Sequence, residues 1–241
     1  MIVFLGDVHD LLGPMHAMIH RLPPHVDAIV QVGDLWVWPE DQDIPPMSDG
    51  SRRALPPRPM DASLRWQRPA KDLYFLDGNH HLYPLTRGLT APTCVAPGAI
   101  FLPRGSVLTL PGKDGPLRVG VLGGADSLHE AMWRTPDRDW WPDEERVTVA
   151  DVDRLLANVT AAGGIDLLVT HTPPASIVRA MHPDETTTVH PSAELVEHAW
   201  RALGGGVSDP PVELICGHMH AAWTDRRLRV EVLAELGLAV R

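Results

Sequence analysis

Cysteine is scarce: Cys94 and Cys216 are the two in 241 residues, which excludes a disulfide framework. Cys216 lies inside an apolar run and reads as a small buried residue. No apolar run approaches the length that crosses a bilayer, so no membrane segment is expected. Positive charge is in deficit as well. A formal charge of −10 and a pI near 5.6 exclude a broad basic surface tracking a nucleic-acid backbone. They leave room for nucleotides or short RNA ends if bound cations supply positive charge locally. The chain also lacks an internal repeat, a Gly-Lys-Ser/Thr phosphate loop and a Gly-x-Ser-x-Gly nucleophile elbow. Chemistry built on a phosphate loop or an activated serine is thereby excluded.

What the chain does have is a series of short ligand-type stretches: Asp7-Val8-His9, Gly33-Asp34, Gly78-Asn79-His80, His171 and Gly217-His218-Met219-His220. Each follows an apolar run that reads as a β-strand, at 2–5, 28–32, 73–76, 167–169 and 214–216. Side chains two apart on a strand share a face, so Asp7 with His9, and His218 with His220, form natural chelating pairs. If the strands run parallel, their ends collect along one sheet edge, where open α/β sheets place ligands.

Imidazole with carboxylate and amide oxygen suits manganese foremost, with Fe, Zn, Co or Ni as alternatives, rather than Ca or Mg. Asp34 has two oxygens with which to bridge two divalent ions. Asp7, His9 and His220 would complete one site, and Asn79, His171 and His218 the other. Two carboxylates against two dications leave positive charge in surplus, which favours an anionic substrate. A water shared by two such ions has its pKa lowered from about 15.7 to about 7, giving a nucleophile for in-line attack on phosphorus.

In these ordered blocks the sequence resembles the calcineurin-like metallophosphoesterases, whose pattern runs Asp-x-His, Gly-Asp, Gly-Asn-His, a lone His, then Gly-His-x-His. The resemblance spans 7–220 and implies an α/β fold, a four-layer α/β/β/α sandwich of two mixed sheets flanked by helices. It implies the ligand roles given above, with Asp34 bridging, and it makes His80 the residue that contacts phosphate and assists the leaving group. Within the family, Gly-Gly-Ala-x-Ser at 123–127, Trp-Trp-Pro at 140–142 and Trp38-Pro39 are similar to a subset of small bacterial and phage-type members. Two departures stand out. Val37 occupies the place of a second Asp after Gly-Asp, and His81 follows Gly-Asn-His where many relatives have an acid. Neither is a ligand position, so the carboxylate that orients His80 has to come from elsewhere.

Composition, 44% hydrophobic and 22% charged, fits one sizeable core, and a single domain over 1–241 is expected. Asp7 lies so near Met1 that a cleaved leader would remove part of the site; a cytoplasmic location is the simplest expectation. Residues 35–70 carry Pro39, Pro45, Pro46, Pro56, Pro57, Pro59 and Pro69 and read as an insert leaving Asp34 directly. Two readings apply to it. It is a lid that sets Trp36 or Trp38 on a substrate ring and Arg52, Arg53 or Arg58 on phosphate, or it is a solvated loop whose tryptophans pack on the domain. Likewise 123–142, with Trp133, Trp140 and Trp141, walls the pocket or clamps a loop, and Asp126 or His129 could assist chemistry.

Helices are expected from Gly13-Pro14 to Arg21, over 148–162 behind a Thr148 cap, and over 195–203. Leu64 and Trp66 suggest a short further helix. His16, His20, His25 and His198 read as peripheral to the metals, while His182, His190 and the 186–188 loop border the pocket. Runs at 100–102, 107–110 and 117–122 read as antiparallel strands of the second sheet, and 228–236 as the last strand. The functional reading is a phosphohydrolase acting on phosphomonoesters or phosphodiesters, the substrate a nucleotide, cyclic nucleotide, RNA end or phosphoprotein. The alternative is a metal-binding scaffold of the same fold with little turnover.

Overall fold

In the first strand, β1 (Ile2–Leu5), every side chain is buried, yet neighbours part company: Ile2 and Phe4 join one apolar cluster while Val3 and Leu5 join another. That period of two is what a strand covered on both faces must show. It sets the layering of a computed structural model that describes residues 1–47, 49–57, 65–127, 132, 134–183 and 189–241.

The first sheet contains β1, β2 (Ala28–Gln31), β3 (Leu73–Phe75), β4 (Thr93–Ala96), β5 (Ala99–Phe101) and β12 (Leu238–Val240), in the order β12-β1-β2-β3-β5-β4. The second contains β6 (Val107–Gly112), β7 (Gly115–Leu122), β8 (Leu167–Thr170), β9 (Glu213–Cys216), β10 (Trp223–Asp225) and β11 (Val230–Val232), in the order β10-β11-β9-β8-β7-β6. Both follow one plan: four parallel strands with an antiparallel strand on each edge. Ile2, Phe4, Val30 and Val32 meet Val119, Val121, Val169 and Ile215 between the sheets. On the outer face of the first sheet, α1 (Leu12–Arg21) buries Leu12, Met15 and Ile19 against Val3, Leu5, Ile29 and Phe75. On the outer face of the second, α3 (Val149–Ala161) and α5 (Pro191–Ala202) bury Leu155, Val159, Val196 and Trp200 against Leu168, Leu214 and Cys216. The result is the expected four-layer α/β/β/α sandwich of two mixed sheets.

Local signals explain the elements. Thr148 accepts from the Asp151 backbone N–H while the Asp151 side chain accepts from the Thr148 N–H, a reciprocal cap that starts α3. Truncating Leu155, which has no exposed surface, should cost about 2–5 kcal/mol. Two short helices, α2 (Tyr83–Thr86) and α4 (Ala175–Met181), both lie beyond the expected elements.

Three expectations need correction. The strand near 100 belongs to the first sheet, paired in parallel with β3, because Phe101 packs on Phe75 with ring centroids 5.5 Å apart. The turn-like stretch before it forms β4. The closing run is not one strand: β11 ends at Val232 and the chain crosses to the first sheet as β12, opposite β1. The expected short helix near Leu64 falls partly on 58–64, outside the described residues.

Candidate metal centre

The ends of β1, β2 and β3 from one sheet and of β8 and β9 from the other open onto a common edge. The ligand-type residues therefore gather between two sheets rather than along one. One contact crosses the seam, the Val32 carbonyl accepting from His171 Nδ1–H at 2.9 Å, and within the second sheet the His171 carbonyl accepts from Gly217 N–H at 2.9 Å.

Backbone conformation singles out the same residues. Among the described residues, seven other than glycine have positive φ, and four of these are His9, Asp34, His218 and His220. Left-handed backbone is uncommon outside glycine, and such strain clusters where a site over-determines the chain. Crowding adds to the constraint. A Cβ at Gly33, itself at φ 110°, would overlap the His171 ring, and one at Gly78 would overlap Asp34 Oδ1 and His171 Nε2. Only glycine lets the backbone pass this close.

Asp34 lies at the middle of the cluster. Its Oδ2 is 3.3 Å from His171 Nε2 and 3.8 Å from His9 Nε2, and its Oδ1 accepts from the His80 N–H at 2.7 Å. Asn79 Oδ1 is 3.2 Å from His171 Nε2. Opposite, His9 and His220 present their Nε2 atoms to each other at 2.9 Å, with Asp7 Oδ2 3.3 Å from His220 Nε2. His218 donates its backbone N–H to both Asp7 oxygens, and its ring packs edge-on to His171 with centroids 5.1 Å apart. The His80 ring lies edge-on to His9 at 4.8 Å. Asp7-His9-His220, His9-Asp34-His80 and Asp7-Asp34-His171 each have ligand atoms close enough to hold one metal ion.

The donor set fits a cation. His171 Nδ1 must carry its proton, because its partner is a carbonyl, which leaves Nε2 as a lone pair facing two oxygen acceptors. Such a meeting of lone pairs requires either a proton on Nε2 or a positive ion. Burial opposes charge on His171, but Asp34 and Asp7 outweigh it and hold its pKa up at about 9. Burial would likewise raise Asp34, yet His171, His80 and His9 hold that carboxyl well below the usual range. Burial, with His171 beside it, lowers His218 to about 4, and burial lowers His9; both offer neutral imidazole at neutral pH. The hydrogen bond to Asp7 raises His220.

Around this cluster lies a layer that sequence reasoning passed over. Asn79 Nδ2–H donates to Ser127 Oγ at 3.3 Å, and Ser127 donates its hydroxyl to Glu145 Oε2 at 2.9 Å. Glu145, 1% exposed, also accepts from the Ser127 N–H and from Trp140 Nε1–H. Arg134 donates through both terminal nitrogens to the Asn79 carbonyl at 3.2 Å. The only sequence-level hint was Gly-Gly-Ala-x-Ser followed by Trp-Trp-Pro, which marks the loop without saying what it touches.

Other candidates lie elsewhere. Asp126 accepts from the Ser192 N–H at the start of α5 and pairs with Arg146, so it serves the helix. Trp38 and Trp141 are buried in the α1-side core, and Arg53 donates to the carbonyls of Pro45, Pro46, Pro84 and Arg87. Trp38 and Arg53 are thus anchored in the fold, and both also line a cavity under the proline-rich insert. Val37 is buried in the same core, and His81 is enclosed by Phe75, Tyr83 and Phe101 with its Nε2 2.7 Å from Thr86 Oγ1. Both Val37 and His81 are thus core residues. A cavity of about 620 Å³ under the proline-rich insert is lined by Trp38, Ile44, Arg52 and Leu55, and none of the ligand-type residues lines it. Arg58, His129, Trp133 and 186–188 lie outside the described residues.

No protein-family model and no curated protein matches the chain. Among solved structures it is similar to a hypothetical protein from Thermus thermophilus, at 14% sequence identity and TM-score 0.42, covering 98% of this chain and 75% of that one. It is also similar to phosphopantetheinyl hydrolase from Mycobacterium tuberculosis, at 14% identity and TM-score 0.41, covering 97% of this chain and 89% of that one. No helix among the described residues is long and apolar enough to cross a membrane.

Proposed function

We propose that the chain is a metal-dependent phosphohydrolase that cleaves phosphomonoesters or phosphodiesters at a dinuclear centre. The observation that carries this reading is the convergence of Asp7, His9, Asp34, Asn79, His171, His218 and His220 from five strand ends onto one edge, with left-handed backbone at four of them. The ordered resemblance to calcineurin-like metallophosphoesterases supports it. When bound, two divalent ions, manganese foremost, would supply Lewis acidity toward a phosphoryl oxygen and lower the pKa of water to near neutrality.

The chain's own residues do the rest. Asp34, central to the cluster, bridges the two halves. Asp7, His9 and His220 hold one side; Asn79, His171 and His218 hold the other. The Val32 carbonyl keeps a proton on His171 Nδ1, so that Nε2, the atom facing Asp34 and Asn79, is the one that would give up its proton to a bound ion. His80, anchored through its backbone to Asp34 Oδ1 and packed against His9, stands at the rim with a ring able to give a proton to a departing alkoxide. Buried Asp7 and Asp34 balance part of the cationic charge and leave a surplus for an anionic ester.

The test is a substrate panel with added Mn²⁺, containing chromogenic phosphodiesters and phosphomonoesters, nucleotides, 2′,3′-cyclic nucleotides and phosphopeptides. Metal-dependent turnover of at least one ester, lost on chelation, is expected. Protein that binds manganese yet cleaves none of them would instead be a metal-binding scaffold.

A further inference from the structure

We propose that Glu145 and Ser127 form a positioning relay that fixes which way the Asn79 side-chain amide faces. The inference rests on the metal-centre reading above and names residues that reading does not use.

An amide can present either its oxygen or its nitrogen to the cluster, and only the oxygen can hold a cation. The choice is made outside the cluster. Ser127 has one hydroxyl hydrogen, and that hydrogen goes to Glu145 Oε2 at 2.9 Å. Toward Asn79, therefore, Ser127 Oγ offers a lone pair, and the amide must answer with Nδ2–H, as it does at 3.3 Å. Asn79 Oδ1 is then turned inward, 3.2 Å from His171 Nε2. The reversed amide would set an oxygen against the Ser127 lone pairs and bring N–H groups into the place of a ligand. The polarity thus runs one way, from carboxylate to hydroxyl to amide to cation site.

The relay is held as a rigid unit. Glu145 is fixed by the Ser127 N–H at 2.9 Å and Trp140 Nε1–H at 3.0 Å. The loop that carries it is tied to the turn that carries Asn79: Arg104 donates to Asp77 Oδ2 at 2.7 Å and to the carbonyls of Glu144 and Glu145 at 2.8 and 3.0 Å. Gly124 N–H completes the tie to the Asp77 carbonyl at 2.9 Å, and Arg134 holds the Asn79 carbonyl. Outer partners of this kind orient a ligand and typically govern about 10–100-fold in metal affinity.

The experiment is calorimetric Mn²⁺ titration of the full chain and of Ser127→Ala, Ser127→Thr and Glu145→Gln, with melting of each protein in chelator. Wild type is expected to bind two ions. Ser127→Ala should weaken one of them by about 10–100-fold and leave the other within about twofold, while Ser127→Thr, which keeps the hydroxyl, restores the affinity. Metal-free Ser127→Ala should still melt in one cooperative transition, somewhat below wild type because Glu145 and Asn79 each lose a buried partner, and Ser127→Thr should restore it. Two ions bound by Ser127→Ala with wild-type affinity would overturn the relay and leave the metal centre standing. A parallel loss of both ions and of the cooperative metal-free transition would also overturn it, as a folding effect. Wild type that binds no manganese would overturn the centre itself and the relay with it.

Discussion

Asp34, Asn79 and His171 are 1, 4 and 0% exposed, whereas the His220 side chain is 52% exposed. The inner residues are each held from behind: His171 by the Val32 carbonyl, Asn79 by Ser127, and Asp34 by the His80 N–H. His220 is held by His9 and Asp7, while His9 is also fixed by its own N–H on the Asp34 carbonyl at 2.8 Å; both stand on turns of left-handed backbone. The cluster is a fixed, buried socket, Asp7 included, with His220 as its exposed rim. Preorganised ligands lose little freedom on binding, so the inner half should take up its ion first and the rim should exchange.

Five substitutions probe that contrast and what surrounds it, from the largest effect to the smallest. Asp34→Ala removes the group both halves share, so binding of both ions and all metal-dependent turnover should vanish together; retention of one ion at wild-type affinity in the titration would show that Asp34 belongs to one half only. His80→Ala should slow esters with poor leaving groups by about 10²–10⁴-fold and activated aryl esters far less, read from the dependence of kcat/KM on leaving-group pKa. His171→Ala should weaken the tighter ion by at least about tenfold more than His220→Ala weakens the looser one, because outer support is lost along with the ligand. Equal effects in the two titrations would erase the inner–outer distinction.

The smallest effect concerns His81, which burial lowers to about 4. The unfolded chain takes up a proton near the ordinary value of about 6.5, while folded His81 stays neutral until about 4. Its contribution to stability is therefore full above about 6.5 and declines as pH falls toward 4, by up to about 3 kcal/mol. His81→Leu should flatten that limb of metal-free stability against pH in chemical denaturation. An unchanged slope would mean that His81 is solvated in the folded protein.

The ligand-type positions were legible because each follows a short buried strand and a break in the strand pattern, and both signals are local. His9, Asp34, His218 and His220 stand where the chain leaves a strand through left-handed backbone; Asp34 directly follows Gly33 and His218 directly follows Gly217. The choice of sheet was not legible. Ala99–Phe101 has the same alternation whether its neighbour is β3 or β6, and pairing is decided by partners far along the chain. The splitting of the last strand is of the same kind, since β12 is defined by β1. Ser127 and Glu145 were invisible for a further reason: 18 residues separate them and 48 separate Ser127 from Asn79, so only folding brings carboxylate, hydroxyl and amide into line. The anchoring of Arg53 on the carbonyls of Pro45, Pro46, Pro84 and Arg87, and of Trp38 in the α1-side core, was not legible either, because those partners are set by the folded chain.

The most direct measurement is the anomalous difference map of a crystal grown with excess manganese, in the absence of substrate. Two peaks are expected, both in contact with Asp34, one also touching Asn79 and His171 and the other Asp7, His9 and His220. A single peak, or two peaks that do not share Asp34, would contradict the dinuclear centre.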